Sequence, residues 1–356
     1  MRINRHLRLA NRRVRSRYRS LFFLPDDGTV TDTTVHAWSP GSPLVAIHSD
    51  DERLRGVAVV TRQCRGLVVL EERRPYLFCS NSVNHYIYNP STGQMTTLPK
   101  GKKAFGMWPH NQDSFGIGYD SSIQKHKVVR LYCRGDLLPA CEVFVLNSTV
   151  GNWRPPASEG EEATPPGFAT SYCTDQSVSA QGHLYLGAEP DKKFKFERVI
   201  ISFSIRAEVF GILPPPPVQH MYQCRITELD GRLCLFNNSD SYKRLFDIWM
   251  LHDHAAGTWG IHCRIDLDRA SLGKRMMRCS SWVIPLDIVD DGNDILLRPD
   301  PHGIQPRILE AHQLYVYRPA TGDVEDLLAN GGVITDHTGA HRVAAPYEES
   351  LESTGL

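Results

Sequence analysis

The feature that most constrains the fold of this chain is a unit that recurs about every 57 residues. Each copy has a strand rich in β-branched and aromatic residues, a polar turn, and a short strand that carries Trp or an aliphatic residue. The turns of the five copies begin at Asn89, Asn147, Ser204, His252 and Arg318. This spacing suits a four-stranded blade with long loops, slightly above the kelch period of about 50 residues.

The segments between these turns also indicate β structure. Short runs of β-branched and aromatic residues, for example at 66–70, 127–132 and 232–236, alternate with Gly, Pro, Asn and Asp. No amphipathic helix of 10–15 residues separates them, which argues against a parallel βαβ layout. The sequence therefore predicts an all-β, kelch-like β-propeller of about six blades, closed by pairing of its N- and C-terminal segments. A two-sheet sandwich is the structural alternative.

The charge is balanced overall but uneven along the chain. The 356 residues include 40 Lys and Arg and 40 Asp and Glu, which excludes a uniformly basic nucleic-acid binder. Residues 1–20 contain eight arginines and no acid. Apolar residues of the segment 3–21 share one helical face: Ile3, Leu7, Ala10, Val14 and Leu21. The pattern predicts a basic helix over 3–21, and with Tyr18 as its single base-stacking aromatic, nucleic acid is not an expected partner.

The cysteine pattern and the hydropathy of the chain indicate in which cellular compartment the protein is expected. The nine cysteines are scattered, lie mostly in apolar segments and include no Cys-x-x-Cys pair, which argues against a structural zinc site of that type. The chain shows no secretory signal and no apolar run long enough for a membrane helix. We therefore expect a cytoplasmic or nuclear protein without a membrane partner.

Seven blocks in fixed order carry a family resemblance. They are Cys-Arg-Gly-Leu at 64–67, Asn-Pro-Ser-Thr-Gly at 89–93 with Leu-Pro at 98–99, Phe-Gly-Ile-Gly-Tyr-Asp-Ser at 115–121 followed by Lys-Val-Val-Arg-Leu at 127–131, Glu-Val-Phe-Val-Leu at 142–146, Gly-His-Leu-Tyr at 182–185, Leu-Asp-Gly-Arg-Leu-Cys-Leu at 229–235 and Asp-Ile-Trp-Met-Leu at 247–251. Together they resemble the F-box-associated interaction domain of plant F-box proteins, over roughly 60–265 and more loosely to about 350. His126 and Ser204 depart from the usual Tyr and Asp of the family.

The resemblance implies a protein-interaction module that recognises substrates for a cullin-type ubiquitin ligase. The F-box, which would contact the ligase adaptor, is expected to be missing, because Leu-Pro-Asp-Asp at 24–27 precedes turn and strand residues instead of leucine-rich helices. The expected organisation is a basic helix left from the region after an F-box at 1–21, the propeller domain at 22–350 and a tail at 351–356. The basic helix could instead be a nuclear-import or nucleic-acid patch, or the product of a wrongly assigned start.

Motifs for chemistry are sparse. There is no Gly-x-Ser-x-Gly, His-Glu-x-x-His, Walker A or Gly-x-Gly-x-x-Gly pattern. Gly116 and Gly118 are interpreted as a strand feature that allows close blade packing, and His252 and His254 as part of a solvated turn. We expect no catalytic residue, metal site or cofactor. The alternatives are a hydrolase-type enzyme built on a propeller and a free-standing binding module without a ligase role.

One loop is the candidate for partner contacts, and a proline run is a weaker alternative. The segment 100–109 sets Phe, Met and Trp among lysines, and exposed loop aromatics are typical contact residues. Lys102, Phe105 and Trp108 are therefore the predicted partner-binding residues, although Phe105 and Trp108 could instead pack into a blade. The four prolines at 214–217 are interpreted as a spacer between blades, with docking on an SH3 or WW groove as the alternative.

Overall fold

Antiparallel sheets dominate the described part of the chain. The computed structural model describes residues 20–25, 34–38, 45–48, 51–72, 83–104, 113–136, 138–149, 151–166, 168–169, 177–189, 199–218, 224–240, 245–267, 269, 283–289, 294–299, 314–327, 342–347 and 354. Within these ranges the helical elements are two short 3-10 turns at Glu52–Leu54 and Glu161–Ala163. No helix there is long and apolar enough to cross a membrane.

Six sheets are formed by the described residues, numbered here in chain order. The first contains β24 (Arg342–Tyr347), β1 (Ser20–Pro25), β2 (Val35–Trp38) and β3 (Val45–His48), and the second contains β4 (Val57–Val59), β5 (Val68–Glu72), β6 (His85–Asn89) and β7 (Gln94–Thr97). The third contains β8 (Ser114–Asp120), β9 (Lys125–Cys133) and β10 (Pro139–Val145), and the fourth β11 (Phe168–Ala169), β12 (Val178–Ala180), β13 (His183–Glu189), β14 (Val199–Ser204) and β15 (Phe210–Leu213). The fifth contains β16 (Cys224–Leu229), β17 (Arg232–Asp240), β18 (Leu245–Asp253) and β19 (Thr258–Asp266), and the sixth β20 (Val283–Val289), β21 (Asp294–Pro299), β22 (Tyr315–Arg318) and β23 (Asp323–Asp326).

The sheets follow one another around a ring. Each contacts the next in order, and β20 of the sixth sheet contacts β24 of the first. β24 pairs with β1 in antiparallel register, so the two ends of the chain are joined in one sheet. The predicted all-β propeller, with its N- and C-terminal segments paired, is confirmed.

The predicted N-terminal helix needs correction at its end. Ser20 and Leu21 belong to β1, where they pair with Tyr347 and Pro346. Long-range strand pairing in the closing sheet therefore overrides the local helical pattern for these two residues. The rest of the predicted helix, residues 3–19, lies outside the described residues. In the predicted tail, Thr354 is buried, with its hydroxyl 2.8 Å from that of Thr96 in β7.

Alternation of side chains along the strands builds the core between the sheets. Val128 packs in the cluster shared with the second sheet, whereas its neighbour Val129 packs in the cluster shared with the fourth. Val69 and Leu70 divide in the same way between the third and first sheets. Since successive side chains on a strand point to opposite faces, a strand buried on both faces needs a continuous apolar run, which is what the sequence shows.

The predicted repeat turns occupy one structural position. Each connects the third strand of its sheet, counted from the ring interior, to the outermost segment. In the first of them, the side chain of Asn89 accepts a hydrogen bond from the backbone of Ser91, at 2.8 Å. A residue with positive φ follows near the end of each turn: Gly93, Gly151, Glu208, Gly257 and Gly322. Four of the five are glycine, the residue that adopts this conformation without a steric penalty.

Tryptophans of the repeat hold neighbouring sheets together. The indole N–H of Trp153 donates to the carbonyl of Pro99 at 2.7 Å, and that of Trp259 donates to the carbonyl of Pro214 at 2.8 Å. Both acceptors are the proline of a Leu-Pro pair that follows the outer strand of the preceding sheet. Pro214 also lies against Gly257, so the proline segment begins in contact with the fifth sheet, although Pro214, Pro215 and Pro217 are exposed and only Pro216 of the four is buried.

Gly116 and Gly118 confirm the interpretation of close packing. A Cβ atom at Gly116 would lie 2.9 Å from a terminal carbon of Leu184, and one at Gly118 would overlap Ile205. Leu184 lies in the fourth sheet and Ile205 directly follows one of its strands. The third sheet can approach the fourth this closely only because Gly116 and Gly118 lack side chains.

Candidate functional site

A pocket of about 550 Å³ lies beside the hairpin that joins β9 and β10, at one end of the third sheet. The ends of β9 and β10 supply Tyr132, Pro139 and Cys141 to its lining, and the turn between them supplies Arg134. The loop that follows β7 supplies Lys102 and Lys103. A third segment, which runs from 155 to 165, completes the wall. Three separate stretches of the sequence therefore build one concave surface.

The walls of this pocket are stiff. Four prolines line it: Pro139, Pro155, Pro156 and Pro165. Because the pyrrolidine ring fixes φ, these residues have little backbone freedom left to lose when a ligand binds. Tyr132 is 8% exposed, and the guanidinium carbon of Arg130 lies 4.6 Å from the centre of its ring. The pocket is thus shaped before any ligand arrives.

Its polar lining is basic. Lys102 and Lys103 are exposed, and among the described residues neither ammonium group forms an ion pair. The third cation, Arg134, pairs with Asp136 at 2.6 Å across the exposed hairpin. No carboxylate belongs to the described lining. The surplus positive charge therefore comes mainly from the two lysines.

A buried ion pair between Arg130 and Glu142 holds the lysine loop, the segment that contains Lys102 and Lys103, in place. Arg130 contacts Glu142 at 2.7 Å and Asp113 at 2.7 Å. Glu142 also accepts a hydrogen bond from the backbone N–H of Lys102, at 3.1 Å. Burial raises the pKa of Asp113 above its ordinary value, although Arg130 opposes this shift. A Cβ atom at Gly101 would overlap Arg130, so the loop lies directly on the buried pair.

A second buried network centres on Lys127. Its ammonium group contacts Asp120 and Glu208 at 2.8 Å each and donates to the carbonyl of Ile205 at 2.8 Å. These three acceptors use all three of its donors. Because Asp120 ends β8 and Glu208 lies in the turn between β14 and β15, the network joins the third and fourth sheets.

The same network fixes one wall of the pocket. Arg154 donates two hydrogen bonds to Glu208, at 2.6 and 2.7 Å, and the backbone N–H of Ala157 donates a third at 2.7 Å. The hydroxyl of Ser158 donates to the carbonyl of Glu208 at 2.5 Å. The prolines between Arg154 and Ala157 are thereby held against the neighbouring sheet.

Glu208 is conformationally unusual. It has a φ of 56°, at the turn position where the other four repeats have glycine. A non-glycine residue in this region costs on the order of 1 kcal/mol. Burial would raise the pKa of its carboxyl, but hydrogen bonds from Arg154 and Lys127 lower it to about 2. The carboxylate contacts explain why a strained acidic residue is accommodated there.

The inner strands are linked across the ring by an arginine. Arg62 follows β4 of the second sheet and donates to the carbonyls of Glu228 in the fifth sheet, at 3.2 Å, and Pro285 in the sixth, at 3.3 Å. Thr227 also donates to Pro285, at 3.1 Å. Burial lowers the pKa of Arg62. These groups serve hydrogen bonds between sheets at the ring interior.

Of the two histidines predicted to lie in a turn, His252 belongs to the end of β18, whereas His254 lies between β18 and β19 and contacts the fourth sheet. Its ring stacks on His183 with centroids 3.9 Å apart, and its Nδ1 lies 3.0 Å from the hydroxyl of Tyr185. Burial lowers the pKa of His254, and the neighbouring His183 adds to the effect. Across the described ranges, no three His, Cys, Asp or Glu side chains form a group suited to a metal ion.

Of the three predicted partner-binding residues, Lys102 lines the pocket, whereas Phe105 and Trp108 lie outside the described residues. The sequence reasoning missed Tyr132, Arg134 and the proline walls. The Pro-Pro pair at 155–156 was a visible signal of a rigid segment, but nothing in the linear sequence indicates that it meets the hairpin.

The family assignment follows from the sequence comparison over the propeller. The family described as the F-box associated beta propeller domain matches residues 46–282. The chain belongs to this family. Among its relatives, a protein of Arabidopsis thaliana named as an F-box protein is 24% identical over 239 residues, which is 67% of this chain and 55% of that protein. An Arabidopsis thaliana protein named as an F-box/LRR-repeat protein is 27% identical over 204 residues, 49% of this chain and 42% of the relative. The F-box-associated chain thus spans about half the length of these relatives.

Solved structures resemble the domain only distantly. The tricorn protease has a TM-score of 0.41 and 13% identity, covering 86% of this chain and 26% of that one. An exo-beta-1,3-galactanase from Phanerochaete chrysosporium has a TM-score of 0.38 and 10% identity, covering 82% of this chain and 66% of that one. Similarity at this level carries no information about function.

Proposed function

We propose that this F-box-associated domain is a protein-recognition module and that the pocket at Lys102 is its contact site. The observation that carries the proposal is a preformed pocket that combines proline walls with two lysines whose ammonium groups form no ion pair within the described ranges, on a chain whose family is F-box associated. A rigid ring that presents loops is suited to partner docking. The partner is proposed to be a protein destined for ubiquitination, because the relatives are named as F-box proteins.

The use of the buried ionisable groups favours binding over hydrolysis. Lys127 is surrounded by Asp120 and Glu208, and Arg62 is engaged by backbone carbonyls. The ion pairs of Lys127 and the hydrogen bonds of Arg62 stabilise the fold, so these groups need no catalytic role to explain their burial. In the part of the chain that the structure describes, the ammonium groups of Lys102 and Lys103 have no such partner, so they are available to contact a ligand.

An intracellular location, in the cytoplasm or the nucleus, is proposed with this function. The six cysteines in the described ranges carry thiols, and five of them are buried. Buried thiols are compatible with a reducing compartment. Neither a membrane nor a nucleic acid is proposed as a partner.

Site-specific photo-cross-linking tests the proposal. A benzophenone amino acid is placed at Ala163, which lines the pocket, or at Ile123, which is 47% exposed in the turn between β8 and β9. Strand β9 separates the two ends, so position 123 is a matched surface control. We expect a plant protein to form an adduct from position 163 and not from 123, and the purified protein to bind the wild-type chain directly.

The outcomes separate the candidate functions. Equal adducts from both positions, or a captured protein that shows no direct binding, would contradict the recognition role of the pocket. If binding holds but the chain neither associates with a ligase adaptor nor changes ubiquitination of the partner, the domain is a free-standing binding module. Turnover of hydrolase substrates by the purified chain would instead support the enzyme alternative.

A further inference from the structure

We propose that the pocket binds an acidic peptide segment of the partner, with carboxylates at Lys102 and Lys103 and an apolar side chain against Leu138 and the adjoining proline wall. This inference rests on the proposed recognition function and specifies the chemistry of the ligand. It combines two observations: the charged side chains of the described lining are all basic, and an exposed apolar residue, Leu138, directly precedes Pro139 of the wall.

The charge argument depends on which carboxylates are already engaged. Glu142 lies beneath the lysine loop, but it is 2% exposed and paired with Arg130 at 2.7 Å. Asp136 pairs with Arg134. Neither acid forms an ion pair with Lys102 or Lys103, the two cations of the described lining that have no ion-pair partner there. A carboxylate on a partner would supply the missing opposite charge and steer the encounter.

Acids also flank the pocket, and they restrict where an anionic ligand can lie. Glu159 and Glu162 are exposed in the segment that carries Ala163 and Thr164 of the lining. Like charges placed next to each other disfavour binding. The carboxylates of the peptide are therefore expected on the lysine side and its uncharged part on the side of residues 159–164.

The apolar half of the site is at the hairpin. Leu138 is 55% exposed and precedes Pro139 of the pocket wall. Its backbone is held, because its carbonyl accepts from the N–H of Arg134 at 2.9 Å and its own N–H donates to Asp136 at 3.2 Å. A large apolar side chain presented on a fixed turn beside a concave surface is typical of contact residues.

The volume of the pocket suits a short peptide segment. At about 550 Å³ it lies within the range of roughly 300–1,000 Å³ common for ligand sites. A few extended residues fill such a space. The required pattern is therefore short: one or two acidic residues next to one large apolar residue.

Fluorescence anisotropy with defined peptides tests this chemistry on the full chain. The probe is a fluorescein-labelled eight-residue peptide in which Glu-Glu precedes Leu-Leu between Gly and Ser residues. One counterpart has Gln in place of Glu, and another has Ser in place of Leu. We expect the Glu-Leu peptide to bind about tenfold more tightly than either counterpart, which corresponds to about 1.4 kcal/mol. Its advantage over the Gln peptide should shrink when salt is raised from 50 to 500 mM.

Matched variants assign the effect to the pocket. Lys102→Ala combined with Lys103→Ala should weaken the Glu-Leu peptide about tenfold, and Leu138→Ser should weaken it several-fold. Lys125→Ala removes a lysine from the opposite end of β9 and should leave the affinity unchanged. The melting temperature of each variant verifies that it is folded, since all the substituted side chains lie at the surface.

Each contrary result has a definite meaning. Equal binding of the Glu and Gln peptides, or an equal loss on Lys125→Ala, would overturn the proposal, because the attraction would then be absent or unspecific. If these peptides fail while cross-linking at Ala163 captures a directly binding partner, the ligand chemistry is wrong and the recognition function stands. If the peptides bind as expected but cross-linking finds no partner, the recognition function fails and the anion site remains.

Discussion

Replacing Lys127 by methionine should destabilise the fold and change its response to pH. Methionine has a similar length but no charge, so the three contacts of the ammonium group, to Asp120, Glu208 and the carbonyl of Ile205, are lost together. Arg154 continues to pair with Glu208. The group left without a counter-charge is therefore Asp120, whose side chain is 3% exposed.

The size of the effect follows from this imbalance. Removing one partner of a buried ion pair costs about 3–5 kcal/mol, because the remaining charge is left uncompensated in the interior. We expect a loss in this range for Lys127→Met in the free energy of unfolding at pH 7. Equilibrium denaturation in urea, monitored by tryptophan fluorescence, measures it.

The pH dependence supplies an independent check of the mechanism. Hydrogen bonds from Lys127 and Ser122 outweigh burial and lower the pKa of Asp120 to about 2, from an ordinary value of 3.8. The pKa of Glu208 is also lowered, to about 2 from an ordinary value of 4.5. As the pH falls, the two carboxylates are protonated in the unfolded chain before they are protonated in the folded protein. The wild-type protein therefore loses the stability contributed by these two carboxylates as the pH falls from about 4.5 towards 2. In Lys127→Met, Asp120 accepts its proton more easily in the folded state, and the stability gap to wild type should narrow between pH 7 and pH 4.

Lys125→Met is the control, because Lys125 lies two residues away on the same strand and its ammonium group donates to the exposed carbonyl of Asn147, at 2.6 Å. Its stability should stay within about 1 kcal/mol of wild type. A loss below about 1 kcal/mol for Lys127→Met, or a gap that does not change with pH, would refute the reasoning.

Three further substitutions test other parts of the fold. Trp153→Phe keeps the aromatic contacts but removes the hydrogen bond to the preceding sheet, and should cost about 0.5–1.5 kcal/mol in urea denaturation; an unchanged midpoint would contradict the role of this bond. Gly118→Ala should destabilise by about 1–3 kcal/mol because the new methyl overlaps Ile205, whereas Gly135→Ala, with nothing within 4 Å, should be neutral; equal effects would rule out the packing explanation. Since the pKa of His254 is lowered in the folded state, stability should rise with pH up to about 6.5 and this slope should weaken in His254→Phe; an identical slope in both proteins would exclude His254 as its source.

Much of the fold could be predicted because each copy of the sequence repeat corresponds to one sheet of the propeller. The turns at Asn89, Ser204 and Arg318 fall at one structural position, and the Trp and Leu-Pro elements of neighbouring repeats hydrogen-bond to one another. The continuous apolar runs reflect strands buried on both faces. The helix predicted from the sequence was wrong at Ser20 and Leu21. There the local helical periodicity is overridden by pairing with a strand more than 300 residues away.

The site was less predictable because distant segments form it. Lys102 was identified from a loop of unusual composition, and the structure places it in one pocket with Arg134 and Pro155. The buried networks also escaped sequence reasoning. Glu208 occupies a glycine position of the repeat, a departure visible in the sequence, but its meaning depends on Lys127 and Arg154, which lie 81 and 54 residues away.

The most direct test is the affinity of the chain for the protein captured by cross-linking at Ala163. The dissociation constant should be measured by titration calorimetry for wild type and for a variant that combines Lys102→Ala, Lys103→Ala and Leu138→Ser. We predict that the variant binds at least about tenfold more weakly, equivalent to about 1.4 kcal/mol, with the melting temperature of wild type. An unchanged dissociation constant would show that the pocket is not the surface with which this domain recognises its partner.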